Sequence, residues 1–338
     1  MSSESLNSDN IKAEALRLGF FACGVAQARP VDPDTAARYR QWIASGGHAD
    51  MNYLADNIDK RLDPTLLLPG ARSIIVVAMN YAPARRIPDG EYQIAAYAYG
   101  SDYHDVLKRR LRQLGEKIEV ESEASATEHA DAHASLKVCV DTVPLLERYW
   151  AWQSGLGFIG RNHQLIIPHA GSMFFLGAIV TTLACDHYDS PMSPRCGTCH
   201  RCIDACPSGA LKMADGRWKM KDSTFDSRKC LSYQTIENRG DIDEALKDKL
   251  SDSIYGCDRC QQACPWNRFA QPTDIPELQP REELLLMRRA DWQQLTVEQY
   301  RTLFRGSAVK RAKYEGLMRN IRTVSHQPDG REEKEKTR

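Results

Sequence analysis

Cysteines at fixed spacing constrain this chain more than any other feature. They form the run Cys196-x2-Cys199-x2-Cys202-x3-Cys206-Pro207 and a second run Cys257-x2-Cys260-x3-Cys264-Pro265, with Cys230 alone between them. The first is the run of bacterial ferredoxins, in which three close thiolates hold one 4Fe-4S cube and the cysteine before proline reaches across to another. That crossover assigns Cys196, Cys199, Cys202 and Cys264 to one cluster, and Cys206, Cys230, Cys257 and Cys260 to the second. A fold built round two such cubes passes electrons one at a time. Structural zinc takes four ligands round one tetrahedral ion, usually from two separated pairs, and a disulfide framework belongs to an oxidising compartment. Runs this dense, each closed by Cys-Pro, fit neither. Cys23, Cys139 and Cys185 lie outside the motifs and read as small buried hydrophobes.

The chain has 338 residues, room for two or three domains, and its 45 acidic and 45 basic side chains cancel. No global charge steers it to nucleic acid or membrane, so an anionic partner must be met by a local patch. The first ten residues lack the basic flank and apolar core of an export signal. The longest apolar stretch, residues 173–185, is too short to span a bilayer. A soluble, cytoplasmic, monomeric protein is expected.

Residues 1–186 alternate helical and strand patterns and predict an α+β domain. Ile11, Ala15 and Leu18 share a helical face ended by Gly19, and Asp32-Pro33 opens a helix that stops at Gly46-Gly47. Residues 73–78 read as a buried strand, 102–114 as a basic helix closed by Gly115, 121–133 as an exposed loop, 136–140 as a strand and 145–153 as a helix. The cysteine unit, 187–275, carries a charged insertion at 213–221. A C-terminal segment, 276–325, holds two short helices at 296–305 and 307–321, the first opened by the capping box Thr296 with Gln299. The charged tail, 326–338, reads as disordered.

Gly155-Leu-Gly157-Phe-Ile-Gly160 matches the dinucleotide fingerprint, but that fingerprint must follow a strand and open a helix. Here the glycines follow a helix and lead into extended Gln164-Leu-Ile-Ile. They read instead as a loop where backbone closely approaches a ligand or another strand.

More specific strings surround the cysteines: Lys137-Val-Cys-Val-Asp141-Thr-Val-Pro-Leu-Leu-Glu-Arg148, Gly155-Leu-Gly-Phe-Ile-Gly-Arg-Asn162, Cys230-Leu-Ser-Tyr-Gln-Thr-Ile-Glu237, Gly256-Cys-Asp-Arg-Cys-Gln-Gln-Ala-Cys-Pro-Trp-Asn267 and Arg305-Gly-Ser-Ala-Val-Lys-Arg311. In this order they resemble the epoxyqueuosine reductase family from about Ile11 to Val324. The resemblance implies a nitroreductase-like cobalamin-binding domain, a ferredoxin-like domain with two 4Fe-4S clusters and short C-terminal helices. It also implies reduction of epoxyqueuosine to queuosine at the tRNA wobble position, with electrons from a low-potential donor such as flavodoxin or ferredoxin.

Removing an epoxide oxygen as water takes two electrons and two protons. The resemblance makes Asp141 the proton donor; following an apolar strand, it is expected to be partly buried with a raised pKa. A helix-capping role beside Thr142 and Pro144 is the alternative. The family positions imply cobalamin contacts from Arg61, His104, Gly157, Arg161, Asn162, Leu165, Ser172, Ser232 and Tyr233. No Asp-x-His-x-x-Gly signature is present, so no histidine is assigned below the cobalt.

The other readings are a cobalamin-dependent reductive dehalogenase and a non-catalytic electron carrier. A carrier needs neither Asp141 nor so long a region before the clusters. Between Arg301 and Val324, Arg301, Arg305, Lys310, Arg311, Lys313, Arg319 and Arg322 face one acid, Glu315. A solvated helix normally mixes both signs. Arg305, Lys310, Arg311, Lys313 and Arg319 are therefore expected to contact the tRNA anticodon arm.

Overall fold

The computed structural model describes residues 5–125, 135–211 and 225–325. The expected insertion at 213–221, most of the expected loop at 121–133 and the charged tail lie outside them. Among the described residues no helix is long and apolar enough to cross a membrane.

A four-stranded antiparallel sheet forms the first layer. Helix α1, Ser8–Arg17, is capped by Asn7, whose side chain accepts from the Asn10 N–H, and it buries Ile11 and Ala15. Strand β1, Ala22–Gln27, follows, and then α2, Pro33–Ala44, with Asp32 as N-cap and proline in its first turn. After the short α3, Ile58–Leu62, comes β2, Ser73–Asn80. Its side chains alternate with the period of two that a strand imposes: Ile75, Val77 and Met79 enter one core, and Ile74, Val76 and Ala78 enter the other. Both faces are covered, which is why this strand reads as a continuous apolar run.

Strand β3, Gln93–Ile94, is followed by the long helix α4, Tyr103–Ser125. The expected stop at Gly115 does not occur. Leu107, Leu111, Leu114 and Ile118 continue one buried face across it, and burying Ile118 outweighs the roughly 1 kcal/mol that glycine costs inside a helix. The helix takes up residues 121–125 of the expected loop as well. Strand β4, Leu136–Cys139, ends just before Asp141, and α5, Glu147–Gln153, begins two residues later than the sequence suggests. The glycine segment turns into a hairpin of β5, Phe158–Ile159, and β6, Leu165–Ile166. Strand β7, Phe174–Thr181, completes the sheet in the order β1-β2-β7-β4.

The cysteine unit contributes the short α6, Arg201–Asp204, then α7, Leu231–Ile236, the strand β8, Ser253–Tyr255, and the short α8, Arg259–Gln262. Helix α9, Val297–Leu303, carries the expected capping box of Thr296 and Gln299. The last expected helix is broken: a 3-10 turn over Ala308–Ala312 meets α10, Lys313–Ser325, at Lys313, where φ is +59°.

The core does not respect a boundary near residue 186. β3 pairs in parallel with β8. Tyr92, Ile94 and Tyr99 are buried in one cluster with Leu231, Tyr255, Trp292 and Ile321. The segment around β3 thus belongs to the C-terminal core, which ties the sheet layer to the cysteine unit.

Candidate active site

The eight motif cysteines divide between two cavities. Cys196, Cys199, Cys202 and Cys264 line a small one of about 130 Å³, together with Arg195 and Trp266. Cys206, Cys230, Cys257 and Cys260 lie on the wall of a large one of about 1360 Å³. Thiol electrostatics follow the same division. Burial raises Cys202 to about 11, and Cys196, Cys264 and Cys199 add to the rise. Cys257, also pushed up to about 11 by burial, has Cys230 as a neighbour, and Cys230 in turn feels Cys206. Cys260 rises through burial, then through Cys257 and Cys230, and last through Cys202, so the two sets adjoin. Among the described residues no three His, Cys, Asp or Glu side chains form a group that could hold a single metal ion. Cys139 and Cys185 are buried, as expected, whereas Cys23 is only partly so by solvent contact.

The large cavity exceeds the roughly 300–1,000 Å³ of ordinary small-molecule sites. Asp141, on the loop between β4 and α5, also lines it. Asp141 does not cap α5, whose N-cap is Leu146. Its φ of +54° is a left-handed conformation that aspartate tolerates better than most residues. The Tyr103 hydroxyl donates to Asp141 Oδ2 at 2.6 Å, and His104 Nε2 lies 3.3 Å from the same oxygen. His104 Nδ1 is 2.7 Å from Asp102 Oδ1. The Tyr103 ring stacks on Phe175 at 4.3 Å between centroids, which fixes its hydroxyl.

These contacts reverse the expected sign of the Asp141 shift. The His104 hydrogen bond leads in lowering its pKa, and burial opposes it without prevailing. By solvent contact the side chain is 64% exposed, yet burial still ranks second among the influences on it, ahead of the Tyr103 bond. At His104, burial pulls downward, but the bonds to Asp102 and Asp141 outweigh it and lift the group to about 9. Near neutral pH the proton sits on the imidazole and Asp141 is a carboxylate. Glu147, at the start of α5, accepts from the Asp141 backbone N–H at 3.0 Å, and burial pushes it up to about 7. Sequence reasoning missed Tyr103 and Glu147, although both stand inside the strings around His104 and Asp141; only three-dimensional contact reveals their roles.

Of the other expected contacts, Arg61, Arg161, Asn162 and Ser232 line the large cavity. Gly157, Leu165, Ser172 and Tyr233 are not among its lining residues. A Cβ on Gly157 would strike the Ile166 carbonyl, so that glycine serves hairpin closure. Leu165 is in the core beside the sheet. Ser172 Oγ accepts from Asn267 Nδ2 at 3.1 Å, and the Ser172 carbonyl accepts from Gln261 at 3.0 Å. The Tyr233 hydroxyl donates to Asp50 at 2.6 Å.

The basic C-terminal segment also divides. Arg319 is committed inward, donating to the carbonyls of Gln234 at 2.7 Å, Asn238 at 2.9 Å and Gly240. Arg311 forms a two-pronged ion pair with Glu237, at 2.9 and 2.7 Å, and lies over the Tyr53 ring. Arg319, only partly exposed, is spent on these carbonyls, whereas Arg311 is exposed but already paired with a carboxylate. Arg305, Lys310 and Lys313 are exposed.

Two adjoining four-thiol sets beside a large cavity with an acid in its lining define an oxidoreductase of the two-cluster iron-sulfur class. The model "4Fe-4S double cluster binding domain" matches residues 195–267, and "Epoxyqueuosine reductase QueG, DUF1730" matches residues 61–142. The epoxyqueuosine reductase of Cellulophaga algicola is 40% identical over 321 residues, 95% of this chain and 99% of that one. That of Pseudomonas aeruginosa is 34% identical over 92% of this chain and 83% of its own. The chain belongs to the epoxyqueuosine reductase family. Among solved structures, the Streptococcus thermophilus enzyme superposes with a TM-score of 0.78 at 29% identity, covering 93% of this chain and 80% of that one. An epoxyqueuosine reductase holding an epoxyqueuosine-modified tRNA-Tyr stem loop gives 0.79 at 25% identity, covering 94% and 80%. The Bacillus subtilis enzyme, also 0.79 at 25% with the same coverage, was solved with its aspartate-bearing catalytic loop swung out of the active site.

Proposed function

We propose that the chain reduces epoxyqueuosine to queuosine at the wobble position of tRNA, with 4Fe-4S clusters on the two thiol sets, cobalamin in the large cavity and Asp141 delivering a proton. The carrying observation is that Cys206, Cys230, Cys257 and Cys260 line the same cavity as Asp141. Electrons and protons would thereby be supplied to one space.

The residues present fit a large, amide-rimmed cofactor. Arg61 Nε, Asn162 Nδ2 and Ser227 Oγ are buried without hydrogen-bond partners, and all three residues line the cavity. An unpartnered buried polar group is costly, so such atoms mark places where a ligand completes the bonding. With Ser232 they would hold cobalamin in what we read as a nitroreductase-like domain. Cobalamin, when bound, supplies a low-valent cobalt as nucleophile or electron donor. The remaining work falls to the chain. Tyr103 and His104 orient the Asp141 carboxylate, His104 holds the proton that Asp141 hands to the departing epoxide oxygen, and Asp102 keeps the imidazole charged and aligned. Two electrons and two protons convert the epoxide to an alkene and water.

Turnover requires a low-potential donor of the flavodoxin or ferredoxin kind, and we read the chain as a cytoplasmic monomer. Anaerobically purified protein should show corrin absorption beside the broad iron-sulfur bands and convert epoxyqueuosine in an anticodon stem loop. Iron-sulfur absorption without corrin bands, and no conversion after cobalamin is supplied, would return the chain to the electron-carrier reading.

A further inference from the structure

Asp141 is exposed on a loop whose backbone has to be held. A left-handed residue other than glycine persists where its surroundings over-determine it, and Thr142 beside it is exposed as well. Tyr103 and His104 of α4 hold the Asp141 side chain, and the bond that ties its backbone to a rigid element is the one the Asp141 N–H donates to Glu147 Oε1 at 3.0 Å. Glu147 is the first residue of α5, which is anchored by the buried Tyr149, Trp150 and Ala151. The anchor is thus part of the core, whereas Asp141 and Thr142, between the buried Val140 and Leu145, are not.

We propose that Glu147 is the positioning residue of this loop: by accepting the Asp141 N–H its carboxylate keeps Asp141 turned toward Tyr103 and His104, and its protonation frees the loop to leave the cavity. The inference rests on Asp141 acting in the reaction. A bond to a charged acceptor is roughly twice as strong as one to a neutral acceptor, so uptake of one proton weakens the hold without altering shape. The groups facing Glu147 put that event near neutrality. Burial raises the carboxyl to about 7 and Asp141 adds to the rise, while the backbone bonds and the Arg61 charge oppose it. Arg148, on the same helix, and Cys139, from β4, are its other charged or titratable neighbours. Solvent reaches part of the Glu147 surface through the cavity, so the proton has a path.

The sign follows from these contacts. Above about pH 7 Glu147 is ionised and the loop is held; below it the loop is released.

Glutamine at this position keeps the shape and a carbonyl acceptor but cannot titrate. In the cofactor-loaded protein, backbone hydrogen exchange over residues 139–146, corrected for the intrinsic pH dependence, should slow several-fold between about pH 6 and about pH 8 in the native chain. It should stay level in Glu147→Gln. In turnover, kcat of the native chain should fall as pH drops through about 7 while KM for the stem loop changes little, and Glu147→Gln should lose that acidic limb. Glu147→Ala should lower kcat about tenfold or more at every pH, with glutamine restoring part of it. Loop exchange in the native chain that is level between the two pH values, or a Glu147→Gln pH profile matching the native one, would overturn the proposal. The exchange measurement needs no substrate, so it stands apart from any failure of the epoxyqueuosine assignment.

Discussion

Two stretches of the large cavity's wall are built on opposite principles. On the electron wall, Cys206, Cys230, Cys257 and Cys260 are set by short helices and turns packed into the cysteine unit, and Cys260 adjoins the second thiol set through Cys202. On the proton wall, Asp141 stands on an exposed loop, in a left-handed backbone conformation, held by side chains from two other elements. Electron transfer between fixed centres needs an unchanging distance. Proton delivery to a bulky substrate on a tRNA needs an acid that can approach and withdraw. Under the proposed function, rigidity would sit where a distance must be kept and freedom where a partner must enter.

The strongest way to break this comparison is to remove thiols. If the two sets are cluster ligands as assigned, Cys202→Ala and Cys264→Ala should lose one and the same cluster, whereas Cys206→Ala and Cys230→Ala should lose the other. All four should lose turnover to background. Iron content and low-temperature EPR of the reduced variants read this out, and an identical residual signal from Cys202→Ala and Cys206→Ala would refute the pairing. A smaller loss is expected on the proton wall. Asp141→Asn should cut turnover by about 10² or more with both clusters and cobalamin retained. Asparagine also tolerates the left-handed region, so the loop keeps its backbone and only the acid is lost. Turnover at the native rate would remove Asp141 from the chemistry.

His104 sharpens the same wall through pH. Its folded pKa, about 9, lies above its ordinary value of 6.5. The stability it contributes is therefore fully present below 6.5 and lost as pH rises through about 9. Above that, imidazolium is depleted and turnover should decline by about tenfold per pH unit, a limb that should vanish from the much slower His104→Gln. An alkaline limb unchanged in that variant would assign the titration elsewhere.

How far each wall was legible in the sequence follows from the same contrast. Cluster ligation imposes residue type and spacing along the chain, so the two cysteine runs and Cys230 could be read directly. The strand around Val76 and the helices opened by Asn7, Asp32 and Thr296 were legible because burial periodicity and capping are local. The proton wall was legible only in part. Asp141 could be found by resemblance, but the direction of its pKa depends on Tyr103 and His104 arriving from α4, a long-range contact that no spacing encodes. Gly115 misled because glycine is a local signal, whereas the burial of Ile118 that overrides it is tertiary. At Leu165 and Ser172, expected beside cobalamin, the side chains are claimed by the core and by Asn267, again through contacts that no spacing encodes.

The smallest expected effect divides the C-terminal basic segment as the cavity walls are divided, into residues that hold structure and residues free to meet a partner. Arg319 occupies carbonyls at the end of α7 and beyond it, so Arg319→Ala should strand them and cost roughly 1–3 kcal/mol of stability, seen as a lower unfolding midpoint. Arg305, Lys310 and Lys313 are exposed, so their combined replacement by alanine should leave that midpoint nearly unchanged. If these three meet the anticodon arm, each phosphate they neutralise releases counterions, and the triple variant should lower the log-log salt slope of stem-loop binding by about 0.7 to 0.9 for every phosphate left without its cation. Affinity should fall alike for matched and unmatched stem loops, because phosphates carry no sequence information. Reduction of a small nucleoside substrate should be spared. An unchanged salt slope in the triple variant would mean that the tRNA is gripped elsewhere, and Arg311, which lies over the Tyr53 ring on the cavity lining with its charge shared by Glu237, would then be the next side chain to test.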